Sequence, residues 1–273
     1  MDAAVDDSSL TVTPGGPENL FGIGPIVAEP GQARASMPTG PWLRGPGSRP
    51  SPAGLGVLLD DVLGQAVLSS RPAGLWAVTT ELNIDVAAPL PVDGQEVTAA
   101  ARPVLLDGAG GLAQAELQDA AGRCLALGTT WSRFIEGVPD AVRNPPPLPD
   151  VNDRGQRLTE LLDVLVDDAG GIELPVRADL GNPRGVVHGG VLLCLAAMSA
   201  GQAMHGTELD IASVRVVYLR PAAGVLRIEP TAIHRGRSLG VMRIDVSNAS
   251  GALCTTATVT ARSPVGPAAA RRP

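Results

Sequence analysis

The sequence predicts an α+β protein made of two similar halves, each with one apolar helix against a meander of antiparallel strands. Three observations carry this. First, the halves repeat one another: Gly64-Gln65-Ala66 recurs as Gly201-Gln202-Ala203, at an offset of 137 (201 − 64). Likewise Asp119-Ala-Ala-Gly122 recurs as Asn248-Ala-Ser-Gly251, at an offset of 129 (251 − 122), each as a polar turn before a strand. A period this long marks duplicated domains rather than a solenoid. Second, Asn144-Pro-Pro-Pro-Leu-Pro-Asp150 divides the halves and suits an extended connector, not a helix interior or a central strand. Third, each half reads as one helix followed by several strands, where a Rossmann fold would alternate them.

In chain order, residues 1–19 are rich in Asp, Ser, Thr, Pro and Gly and read as a disordered tail. The first half, 20–135, has an apolar helix around Val57–Leu63 and strands at Leu75–Val86, Glu96–Leu106, Gly111–Leu117 and Arg123–Phe134. Residues 136–157 form the Pro-rich linker. The second half, 158–262, has the apolar run Val191–Ala203 and strands at Asp210–Leu219, Val225–His234, Leu239–Asn248 and Ala252–Ala261. Pro221-Ala-Ala-Gly224, Arg235-Gly236-Arg237 and Asn248-Ala-Ser-Gly251 punctuate them. Gly240–Val246 alternates apolar and polar residues, as a half-solvated antiparallel strand does. Residues 263–273, rich in Pro, Ala and Arg, read as a second tail.

Composition narrows the function. With 273 residues, 44% of them hydrophobic, the chain can bury a large core. A net charge of −7 and no clustered basic patch argue against nucleic acid. The acidic start MDAAVDDSSL is no signal peptide and no apolar run is long enough to span a bilayer, so a cytoplasmic protein off the membrane is expected. Cys124, Cys194 and Cys254 are too far apart for a short metal-ligand spacing and lie in apolar stretches, as core residues do. His188, His205 and His234 are equally scattered, and no metal or cofactor is expected. Ser199, in Ala197-Met-Ser199-Ala-Gly201, lacks the first glycine of a nucleophile elbow and reads as packing.

The stretch from Asn182 to Ala203 carries the chemistry. A loop, Asn182-Pro-Arg-Gly-Val-Val-His188-Gly189-Gly190, feeds the apolar helix. Its two glycines let a ligand approach backbone N–H groups that have no helical partner, and such a helix start polarises a carbonyl oxygen. The helix itself supplies no carboxylate or nucleophile.

Asn182-x5-His188-Gly189-Gly190, the apolar helix, Tyr218-Leu-Arg-Pro221 and Gly236-Arg237 together resemble PaaI-like hotdog-fold acyl-CoA thioesterases. The resemblance covers most of residues 158–262 and extends more weakly over 20–135. It implies a long central helix wrapped by an antiparallel sheet, twice over: a fused double hotdog in place of a homodimer, hydrolysing acyl-CoA. The family's acid, nine residues beyond the histidine, falls here on Ala197. Taking the offset of 137 back to the first half places Ser51 at the histidine position and Asp60 at the acid position.

Nine residues of helix span about 13 Å, so one helix cannot supply both acid and amides. If the helices pack antiparallel across a pseudo-two-fold, as the resemblance implies, Asp60 faces Asn182, His188 and the Gly189-Gly190 amides. That makes one composite site per chain and an inert reciprocal pocket with Ala197 and Ser51. Asp61 would point to another helix face, or would replace Asp60 if the register slips by one. In the implied reaction the amides hold the oxyanion, and Asp60 acts as general base or as nucleophile through a mixed anhydride. Arg184, Arg235 and Arg237 are candidate ligands of the CoA phosphates, or ordinary solvated turn residues. The alternative to an enzyme is a non-catalytic acyl-CoA-binding or scaffold protein with decayed pockets. A hotdog hydratase would need an Asp/His pair within one copy, and none is evident. A homodimer of chains is expected, since related hotdogs pair their sheets further.

Overall fold

Two mainly apolar helices, in which Asp60 and Asp61 are the only charged residues, have no face to offer water, and the chain wraps both in sheet. The computed structural model describes residues 10–12, 15–45, 49–143 and 157–264. The helices are α2 (Gly56–Leu68) and α5 (Gly189–Ala203). Around α2 stand β1 (Leu10–Val12), α1 (Pro17–Phe21), β2 (Ile26–Glu29), β3 (Gln32–Pro38), β4 (Leu75–Val86), β5 (Glu96–Asp107), β6 (Gly110–Asp119) and β7 (Cys124–Glu136). After the short helix α3 (Asp140–Arg143) come α4 (Leu158–Leu161), β8 (Leu165–Val166) and β9 (Ile172–Pro175). Then α5 is followed by β10 (Asp210–Tyr218), β11 (Val225–Arg235), β12 (Leu239–Asn248) and β13 (Leu253–Arg262).

The thirteen strands of the described residues join one sheet in the order β1-β2-β3-β5-β6-β7-β4-β10-β13-β12-β11-β9-β8. The order reads the same from both ends, apart from the extra β1. The halves meet at the antiparallel pair β4–β10, where Leu82 lies opposite Val216. Strand faces follow the alternation in the sequence: in β7, Ala126, Gly128, Thr130 and Phe134 are buried while Leu127 and Trp131 stay exposed.

The repeat extends to single hydrogen bonds. The Ser51 amide donates to Leu43 O at 2.9 Å and the His188 amide donates to Leu180 O at 2.9 Å, each closing a hairpin with bridges Arg44–Pro50 and Gly181–Val187. The Asp119 carboxylate accepts from the amides of Ala121 and Arg123, as the Asn248 amide oxygen accepts from those of Ser250 and Ala252. After α1, the Ile23 amide donates to Glu18 O, and after α4 the Val164 amide donates to Thr159 O. The left-handed residues of these two turns are Gly22 (φ 70°) and Asp163 (φ 54°). Glu18 and Thr159 are thus equivalent positions.

The helices touch at their first turns. A Cβ on Gly190 would lie 2.5 Å from Gly56 O and from Val57 Cα, so this crossing needs glycine.

Three boundaries differ from the expectation. The assigned N-terminal tail, residues 1–19, holds β1 and most of α1, because Leu20 and Phe21 bury themselves in the core and Phe21 packs edge-on against Trp42. The linker region holds α3 and the residue before α4, while residues 144–156 lie outside the described residues. Of the C-terminal tail, Ser263 is tied by its amide to Ser238 O, and residues 265–273 lie outside the described residues.

Candidate active site

The loop before α5 positions His188 through its backbone, and α2 brings two adjacent acids beneath it. The Gly190 amide donates to Asp60 Oδ2 at 2.8 Å, and the Thr79 hydroxyl on β4 donates to Asp60 Oδ1 at 3.0 Å. His188 stands between the acids: Nδ1 is 3.4 Å from Asp60 Oδ2, and Nε2 is 3.2 Å from Asp61 Oδ1. Asp60, Asp61 and His188 are only 7%, 8% and 7% exposed, a depth at which charges persist only when paired. Asp61 Oδ2 has no hydrogen-bond partner among the described residues. Tyr218 donates its hydroxyl to Gly189 O at 2.7 Å and so pins the helix start to β10.

Electrostatics follow from this packing. Burial disfavours a charged imidazole, yet the hydrogen bond to Asp61, with Asp61, Asp60 and Glu18 as nearby negative charges, outweighs it and pushes His188 up to about 10. Burial raises Asp61, with His188 pulling it back. Glu18, in α1, is raised to about 8 by burial first and by Asp61 second, against His188. Burial and then the Asp60 charge hold Tyr218 well above the usual phenol range. A charged His188 has no lone pair at Nδ1, so the Gly190 amide, 3.1 Å from that nitrogen, belongs to Asp60.

Glu18, Asp61 and His188 offer one oxygen each and one nitrogen, all within 4.8 Å of one another. That spacing would admit a divalent ion. In the cluster as it stands the three groups pair with one another, Nε2 of His188 being engaged by Asp61.

The structure thus brings together Asp60, His188, Gly189 and Gly190, from opposite halves of the chain. Asp61 joins them rather than pointing away: the imidazole has a nitrogen on each edge and reaches both acids. Asn182 is placed differently, since its Oδ1 accepts from the Arg184 amide at 2.9 Å and closes the exposed hairpin turn. Arg184 sits on that exposed hairpin, four residues from His188. Arg235 and Arg237 flank a turn at the far end of α5, where a Cβ on Gly240 would meet Met204. The 15-residue helix separates them from Gly189 by about 20 Å, so they lie outside this cluster. Ser51 does not meet an acid: its hydroxyl accepts from the Ala53 amide at 3.3 Å. Ser199 donates to Gly170 O at 2.6 Å in the core, the packing role expected of it.

Two residues escaped the sequence reading. Thr79 lies within a strand and carries no local signal. Glu18 had one, a proline at the first helical position before Glu-Asn-Leu-Phe-Gly, which marks a short helix rather than a tail.

No helix of the described residues is long and apolar enough to cross a membrane. Residues 177–262 match the family model of the acyl-CoA thioesterase N-terminal domain. Comparison with curated proteins finds no match. Among solved structures, the chain is similar to the TesB protein of Mycobacterium avium subsp. paratuberculosis, with a TM-score of 0.60 at 12% identity, over 85% of this chain and 92% of that one. It is similar to the 12:0-ACP thioesterase of Umbellularia californica, with a TM-score of 0.59 at 16% identity, over 85% and 94% of the two chains. An acyl-ACP thioesterase of Bacteroides thetaiotaomicron aligns with a TM-score of 0.51 at 10% identity, over 85% and 98%. At these identities the likeness is one of fold: the chain has the hotdog fold of the thioesterases, and its residues 177–262 match an acyl-CoA thioesterase domain.

Proposed function

We propose that the protein hydrolyses acyl-CoA thioesters at one composite site between two tandem hotdog halves, residues 20–135 and 158–262. The observation that carries this is the hydrogen bond from the Gly190 amide to Asp60, the acid that the resemblance and the repeat put at the family's position. The palindromic strand order and the paired hydrogen bonds support two copies of one domain.

In this reading the Gly189 amide, for which the described residues hold no hydrogen-bond partner, takes the thioester carbonyl at the start of α5. Gly190 and Thr79 hold Asp60 by both oxygens in one orientation, which suits a base on water better than a nucleophile. Asp60 takes a proton from water as the water oxygen attacks the carbonyl carbon. The tetrahedral oxyanion collapses, the C–S bond breaks, and the thiolate leaves with that proton, giving free acid and thiol. His188, charged between the acids, holds Asp60 in place. Arg184, exposed beside the cluster, is the cation within reach of CoA phosphates. A homodimer of such chains belongs to the same reading.

Purified protein assayed for thiol release from a panel of acyl-CoA and acyl-ACP thioesters tests it. Turnover of acyl-CoA that Asp60→Asn abolishes is expected; binding of acyl-CoA without turnover would leave the acyl-CoA-binding protein instead.

A further inference from the structure

Glu18 is the one ionisable group of the cluster for which the hydrolysis outlined above has no task. Its position is built. A Cβ on Gly16, which has φ +50°, would lie 3.0 Å from Gly181 O, so α1 docks on the hairpin that leads to His188. Glu18 thereby presents an oxygen within 4.8 Å of His188 and Asp61.

The repeat supplies a second observation. The positions equivalent to His188, Asp60, Asp61 and Glu18 in the other half-site are Ser51, Ala197, Met198 and Thr159. None of these four can carry the charge of its counterpart. Glu18 therefore departs from its duplicate together with the residues of the working site, as expected of a group that serves the site. The partly buried carboxyl lies against site groups, Asp61 raising it and His188 lowering it, and its own helix start holds it through the backbone amides of Glu18 and Gly15.

We infer that Glu18 is a positioning residue of the composite site, bracing the His188–Asp61 pair from the N-terminal segment so that His188 holds Asp60 in its working orientation. The inference rests on the proposed hydrolysis for its kinetic consequence, but not for its structural one. Glu18 acts on the charged ring, and through the ring's other edge on Asp60. The groups facing it are Asp61 from α2, His188 from the loop before α5, and Asp60 beyond the ring.

The test uses the full chain with Glu18→Gln, Glu18→Asp and Glu18→Ala. Imidazole NMR signals of the ligand-free protein are followed against pH; the chain has three histidines, and the His188 signals are those lost in His188→Gln. Removing a carboxylate at this range lowers the pH at which His188 gives up its proton by about one unit, a tenfold loss of proton affinity. Glu18→Gln and Glu18→Ala are expected to show that change with unaltered far-ultraviolet circular dichroism, and Glu18→Asp to recover part of it. In turnover, the alkaline limb of kcat moves down by the same amount while KM stays within about twofold. A His188 titration identical in all variants would overturn the inference. So would a rise in KM at constant kcat, which would put Glu18 on the substrate, or stoichiometric zinc binding that Glu18→Ala abolishes. If no thioester is turned over, the NMR titration still decides on Glu18 while the proposed function fails separately.

Discussion

The Gly190 amide donates a 2.8 Å hydrogen bond to Asp60 Oδ2, joining the start of one central helix to the acid of the other across 130 residues of sequence. The acid and the helix start thus come from distant parts of the chain, and the proposed site needs both.

Replacing Asp60 by Asn keeps the size and an acceptor oxygen but removes the base. Loss of kcat by about 10²–10⁴, the usual contribution of a general base, is expected with a small change in melting temperature. Single turnover in ¹⁸O-water separates the chemistries: a base leaves the Asp60 peptide unlabelled by mass spectrometry, and labelled Asp60 would mean an anhydride.

Thr79→Val removes the hydroxyl that holds Asp60 Oδ1 without changing side-chain shape. A hydrogen bond to a charged group contributes about 1.5–3 kcal/mol, so a tenfold or larger loss of kcat is expected, with Thr79→Ser near the parent. Equal rates for Val and Ser variants would show that this bond does not position the acid.

The two glycines should separate by readout. A Cβ at Gly189 would lie 2.5 Å from Asp60 Oδ2 and 3.2 Å from the Tyr218 hydroxyl, so Gly189→Ala pushes the acid aside and lowers activity more than stability. At Gly190 the Cβ would meet backbone of Gly56 and Val57, which cannot yield locally. Gly190→Ala is expected to lower the melting temperature by several degrees, about 1–3 kcal/mol of overpacking.

Stability should fall as the solution becomes alkaline. His188 holds its proton to about 10 in the folded chain against 6.5 in the unfolded one, so the unfolded state releases it first. The stabilisation is complete below 6.5 and is lost as pH rises through 10. Glu18, raised from 4.5 to about 8, acts in the same direction over its own lower window. Melting temperatures measured between pH 6 and 10 are expected to decline, and to decline less steeply in His188→Gln; parallel slopes would show that His188 is not charged in the fold.

Arg184→Ala should raise KM for acyl-CoA several-fold with kcat preserved, and the effect should shrink in high salt as an exposed cation's contact with phosphate does. No change in KM at low salt would remove Arg184 from the substrate's path.

Much of the architecture was legible because it is written in local periodicity. Leu75–Val86 is a strand with the expected limits, and the other seven long strands begin and end within two residues of theirs. The duplicate register was equally legible, since identical turns need identical chemistry at Asp119 and Asn248. The candidate site was legible in two ways: His188, Gly189 and Gly190 from their own loop-to-helix motif, and Asp60 by its offset from Ala197, not by any feature of α2.

What the sequence by itself determined is the pair of helices, the meander that wraps each, and the absence of an acid in α5. Apolar period and turn residues act over a few neighbours, and the chain displays them directly. Only the tertiary structure decided that His188 lies between Asp60 and Asp61, that Thr79 holds the acid, that Glu18 belongs to the cluster, and that Arg235 and Arg237 stand at the far end of α5. These depend on where a helix crossing, a neighbouring strand and a docked N-terminal turn bring groups distant in sequence, from 19 residues for Thr79 and Asp60 to 130 for Asp60 and Gly190. Such contacts are set by packing shape and by the need to pair every buried charge, neither of which leaves a mark on adjacent residues.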